Sequence, residues 1–148
     1  MITLTVPGAL MYRDVAVRVV GAACKLLGPA AGDRASSPDL GEEFASQVVS
    51  AFGEAFNNLA LHGYKGVADG RIDIEVTSIV DGDGEGELTI RIRDTGRVFD
   101  PREYLELPDV EPERGMGLFI IRNFIDEIAY EKGPPNVLLL KKRFVRGG

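Results

Sequence analysis

Apolar and polar positions follow two periods along this chain. Ile2 to Val6 alternates apolar residues with Thr and predicts a short strand ended by Pro7-Gly8. From about Leu10 to Leu27 the period changes: Val15, Val19, Ala22, Ala23, Leu26 and Leu27 recur at helical spacing, and Gly28-Pro29 stops the helix. Ala30 to Pro38 is rich in Gly, Ala, Ser and Pro and reads as a loop. A second helix starts near Ser37-Pro38-Asp39. Pro38 suits a first helical turn, and Glu42 and Glu43 lie near the positive helix end. Its apolar stripe is Phe44, Val48, Ala51, Phe52, Ala55 and Leu59, with His62 at the end on the apolar side and Gly63 suited to the left-handed closing position.

Arg71 to Val80 and Glu87 to Arg93 alternate again on either side of the turn Asp81 to Gly86. They predict an antiparallel hairpin with one buried face. Asp94 to Arg114 has no clear period and carries an acidic run, Glu103, Glu106, Asp109, Glu111 and Glu113, that reads as a solvated face. A third helix follows from about Met116 to Asp126, then a last hairpin of Ile128 to Glu131 and Val137 to Phe144 around Gly133-Pro134-Pro135-Asn136. This order predicts an α+β fold: a mixed, mostly antiparallel sheet with helices packed on one face.

Composition narrows the function classes. The 148 residues fit one domain spanning 1–148, which needs neither a metal nor a disulfide to fold. A net charge of −6 with no long basic run argues against general nucleic-acid binding. The single cysteine, Cys24, excludes an internal disulfide and reads as a packed small residue in a reducing compartment. No apolar run reaches membrane-spanning length and no secretory pattern opens the chain, so the expected location is cytoplasmic, with no membrane partner.

Three segments carry candidate chemistry. In Glu54-Ala55-Phe56-Asn57-Asn58, Glu54 and Asn58 share one helix face bordering the apolar stripe, where a carboxylate and an amide can serve as a base and a hard-cation ligand. In Ile92-Arg93-Asp94-Thr95-Gly96 a strand runs into Asp94, which can accept a hydrogen bond from an exocyclic amine, while Gly96 lets a flat ring approach the backbone. In Glu113-Arg114-Gly115-Met116-Gly117 a Gly-rich bend opens a helix whose free amides suit phosphate. Taken singly, each also fits a structural role: a solvated helix edge, a strand-ending turn, or tight packing of a loop under a helix. Tyr64 and Lys65, just past the second helix, are further candidates.

In this order the three segments resemble the ATP-binding Bergerat fold of the gyrase, heat-shock chaperone, histidine kinase and mismatch-repair (GHKL) superfamily. The stretches Glu54 to Tyr64 and Gly115 to Glu127 are most similar to the anti-sigma-factor serine kinases of the sporulation and general-stress type. The resemblance implies a Bergerat-type two-layer sandwich that binds ATP and Mg²⁺. Asn58 would coordinate the metal and Glu54 would act as general base toward a serine hydroxyl. Asp94 would accept the adenine amine, and Gly96 would admit the ring. Gly115, Met116 and Gly117 would form the phosphate-facing lid, with Arg114 as a phosphate contact. It further implies a sigma factor and an anti-anti-sigma domain of the STAS type as partners, and a homodimer. Two positions depart from the family pattern. Val98 stands where the first glycine box has its second glycine, and Glu113-Arg114 directly abuts Gly115. They keep open a binding module that acts without catalysis; a switch kinase in a signalling complex would share the chemistry with a different partner.

Overall fold

Each alternating segment becomes a strand of one sheet and each helical period a helix on one of its faces. The computed structural model describes residues 1–29, 38–64, 70–98, 100 and 112–146, with backbone alone at 38–41, 112–116 and 118. The elements are β1 (Ile2–Pro7), α1 (Arg13–Leu27), α2 (Pro38–Asn58), β2 (Arg71–Val80), β3 (Glu85–Asp94), α3 (Pro112–Phe124), β4 (Glu127–Glu131) and β5 (Asn136–Val145). A 3-10 turn at Leu10–Tyr12 leads into α1, and a π turn at Leu59–Gly63 ends α2. The Lys65 and acidic-loop positions from 103 to 111 lie outside the described residues.

The sheet order is β1-β2-β3-β5-β4. Every pairing is antiparallel, so the expected mixed sheet is corrected to a purely antiparallel one among the described residues. Strict alternation sends Ile72, Ile74 and Val76 of β2, Leu88, Ile90 and Ile92 of β3, and Leu138 and Leu140 of β5 to the buried face. Val48, Phe52, Ala55 and Phe56 of α2 meet the same core and are at most 2% exposed. At the far end of the sheet, Lys142 donates to the Phe124 carbonyl at 2.7 Å, a cation on the last turn of α3 that fixes that helix end to β5.

Two helix expectations change. On α1 the buried residues are Ala16, Val20, Ala23 and Cys24, while Val15 and Leu26 of the expected stripe are exposed. The chain offers two apolar faces there, and the one with smaller side chains packs inward against α2. Burial pushes the Cys24 thiol up to about 12, which keeps it protonated and unreactive, a packing residue as expected. At the end of α2, Gly63 does not take the left-handed conformation. The π turn closes instead through the Tyr64 amide donating to the Leu59 carbonyl at 3.1 Å, and it leaves His62 exposed rather than on the apolar side.

Candidate functional site

The β2–β3 and β3–β5 registers bring Asp94 and Asn136 opposite one another at the end of the sheet where α2 terminates. Asp94 is 1% exposed. Its Oδ1 accepts the Gly96 amide at 3.0 Å and the Asn136 Nδ2 at 3.1 Å. Its Oδ2 is buried and accepts nothing from the protein. Burial raises the Asp94 pKa above the usual carboxylate range, and the bonds from Asn136 and Gly96 pull it back in part. A buried carboxylate oxygen without a donor is costly, and a donor from outside the chain would offset that cost.

The loop after β3 is fastened from two sides. The Tyr64 hydroxyl donates to the Arg71 carbonyl and accepts the Thr95 amide, the latter at 2.9 Å. The Arg97 amide donates to the Gly63 carbonyl at 2.7 Å. Tyr64 is therefore a buried strut under the loop. Gly96 is glycine for a reason that spacing did not disclose: a Cβ there would strike the Gly63 carbonyl oxygen, so the close crossing of two backbones already demands it. Val98, at the departing glycine position, is exposed.

Glu54 and Asn58 sit on one face of α2, both half-buried, as their spacing requires. Among the described residues only four buried side-chain polar atoms have no partner, and two of them are Asp94 Oδ2 and Asn58 Nδ2. The unpartnered Asn58 atom is a donor, which fits a phosphate oxygen, while the Oδ1 of the same amide is an oxygen of the kind that could hold a hard cation. The Gly-x-Gly segment lies differently from expectation. α3 begins at Pro112, so Gly115 and Gly117 are inside the helix rather than in a bend before it. In that state the Gly117 amide belongs to the helical ladder and does not face a ligand. Gly117 instead lets α3 pass against α2: a Cβ at this position would overlap the Glu54 carboxylate. The side chains of Arg114 and Met116 lie outside the described residues.

Sequence reasoning missed Asn136, which it placed only as a turn residue, and the structural part of Tyr64. A buried Asn after Gly-Pro-Pro carries no local signal of contact with Asp94, which lies 42 residues away. Concavities elsewhere, such as one of ≈ 260 Å³ lined in part by Phe44, Lys142 and Phe144, contain none of the unpartnered buried atoms, so chemistry rather than size locates the site.

Comparison with known proteins shows the family of the chain. The family described as histidine kinase-like ATPase domain matches residues 23–142. An anti-sigma F factor of Clostridium botulinum (strain Eklund 17B / Type B) is 37% identical over 108 residues, covering 67% of this chain and 71% of that protein. The chain belongs to the histidine-kinase-like ATPase family, in its anti-sigma-factor group. An anti-sigma F factor of Priestia megaterium is 37% identical over 92 residues, covering 58% of this chain and 59% of the relative. Among solved structures, the histidine kinase domain of the Erythrobacter litoralis EL346 blue-light activated histidine kinase superposes with a TM-score of 0.50 at 15% identity, covering 92% of this chain. That likeness concerns the fold alone, and this chain spans 60% of the histidine kinase chain. No helix among the described residues is long and apolar enough to cross a membrane.

Proposed function

We propose that this chain is an ATP-dependent anti-sigma factor that phosphorylates a serine on a small antagonist domain of the STAS type. The observation that carries the reading is the buried Asp94 Oδ2, an acceptor without a donor, at the strand end opposite the helix bearing Glu54 and Asn58. Adenine's 6-amino group is a donor of the right kind for it. The residues present fit the nucleotide: Asp94 for the base and Asn58 for the phosphates. Among the described residues no three His, Cys, Asp or Glu side chains converge into a metal cage. A magnesium ion would accordingly rest on the phosphates with Asn58 as a protein ligand, the usual arrangement for that cation. Bound ATP supplies the phosphoryl group. The chain's own contribution is to position it, to shield it from water and, through Glu54, to take the proton from the serine hydroxyl.

The proposed roles of Gly115 and Gly117 as amide donors require the first turns of α3 to open when nucleotide enters, with Arg114 arriving as a counter-charge. The C-terminal end of α3 stays fixed by Lys142, so movement is confined to the end near Glu54. Protein partners are supported by an apolar row on the outer face of α1. Met11, just before the helix, is 79% exposed, and Val15 and Leu26 lie 50% and 66% exposed on the same side. A sigma factor, the antagonist domain and a second copy of the chain, in the cytoplasm, are the partners we propose.

The test is incubation of the purified chain with labelled ATP, Mg²⁺ and a cognate STAS-domain protein. Time-dependent label on one serine of the antagonist is expected, together with release of a bound sigma factor. Sigma-factor binding without any transfer would instead support a binding module that acts without catalysis.

A further inference from the structure

Asn136 is buried to 2% exposure and makes contacts whose polarity leaves its amide one orientation. Its Oδ1 accepts the Gly133 amide at 2.9 Å. Its Nδ2 donates to Asp94 Oδ1 at 3.1 Å and to the Gly96 carbonyl at 3.1 Å. A backbone amide can only donate and a backbone carbonyl can only accept, so the side-chain amide cannot turn over without placing like against like at both ends. The donor edge of Asn136 therefore always faces Asp94.

We propose that Asn136 sets the base selectivity of the site, holding Asp94 as an acceptor so that a 6-aminopurine is bound and a 6-oxopurine is refused. The proposal rests on the reading of Asp94 as the adenine contact and adds the residue that makes the contact selective. The Gly96 amide and Asn136 Nδ2 both donate to Oδ1, and these two bonds favour the ionised carboxylate over the acid, whose proton would sit on Oδ2. No ion pair among the described residues holds the carboxylate; these two donors do. An ionised Oδ2 accepts from the amine of adenine and repels the carbonyl of hypoxanthine or guanine. A neutral acid would reverse this, because its hydroxyl can donate to that carbonyl. Burial already favours the neutral acid. Removing the Asn136 donor leaves the Gly96 amide alone to oppose it, and the site would then take either base.

Asn136 acts through Asp94 and is a positioning residue, so its test must separate selectivity from general damage. ATP and inosine triphosphate differ only in the 6-position group and the N1 proton that follows from it. Titrating the full chain with each should give wild type a preference for ATP of about 10- to 100-fold, the usual cost of facing a buried acceptor with an acceptor. Asn136→Leu should bring the two affinities within about threefold of each other. Asn136→Asp keeps the shape and the acceptor for Gly133. It sets a carboxylate oxygen against Asp94, so the pair must share a proton, and it too should lose the preference. This second variant decides the matter should the leucine variant fail to fold. A purely structural role would weaken both nucleotides alike; an unchanged ATP-to-inosine-triphosphate ratio in folded variants overturns the proposal while leaving the adenine assignment standing. Failure of the wild-type chain to bind ATP at all overturns both.

Discussion

Replacing Glu54 with Gln is expected to lower the rate of phosphoryl transfer to serine by about 10²–10⁴-fold, the usual contribution of a positioned base. ATP affinity should change little, because an amide of the same shape still fills the space against Gly117, where a Cβ would overlap the wild-type carboxylate. This split between transfer and binding identifies a base rather than a nucleotide ligand. The measurement is a single-turnover time course with the antagonist domain beside a nucleotide titration. Transfer at the wild-type rate would place the base elsewhere and leave only the nucleotide site.

Asp94→Asn is expected to act in the opposite sense on binding and on stability. It offers adenine an amide where the carboxylate accepted, and a donor facing a donor costs about 1–3 kcal/mol, or one to two decades in ATP affinity. The free protein should lose nothing in return. Burial raises the Asp94 pKa on folding. An acid of that kind adds stability below its unfolded pKa and loses that contribution as the pH rises through its folded pKa. As the pH rises through the folded pKa the wild-type chain takes on the cost of a buried ionised carboxylate, and the Asn variant does not. Thermal melts of the ligand-free proteins at pH 7 should show the variant at least as stable, with the difference shrinking as the pH is lowered. A variant both unstable and weak in binding would point to a structural Asp94 instead.

Much of this organisation is legible in the residues themselves. Strict alternation in Ile72 to Val76 and Leu88 to Ile92 names the buried face of two strands, because a strand's period is fixed by the backbone. The α2 stripe is equally clear, since Phe44, Val48, Phe52 and Leu59 present one bulky face and no competing one. On α1 two apolar faces compete, and the choice is made by the close approach of α2, which favours Ala16, Val20, Ala23 and Cys24. The start of α3 is hidden by Gly115 and Gly117, which read locally as a bend, and Gly117 is tolerated because the helix must pass Glu54. Within the site, Glu54, Asn58 and Asp94 are visible as residue types at meaningful spacing. Asn136 and the strut role of Tyr64 are not, because those roles exist only through the β3–β5 register and the crossing of the α2 end with the loop after β3.

A calorimetric titration of the purified chain with ATP, in the presence and absence of Mg²⁺, tests the nucleotide site most directly. Saturable binding is expected, tighter with the metal, in line with Asn58 as its ligand beside the phosphates. No binding of ATP under either condition would contradict the assignment of Asp94 and Asn58, and with it the kinase reading.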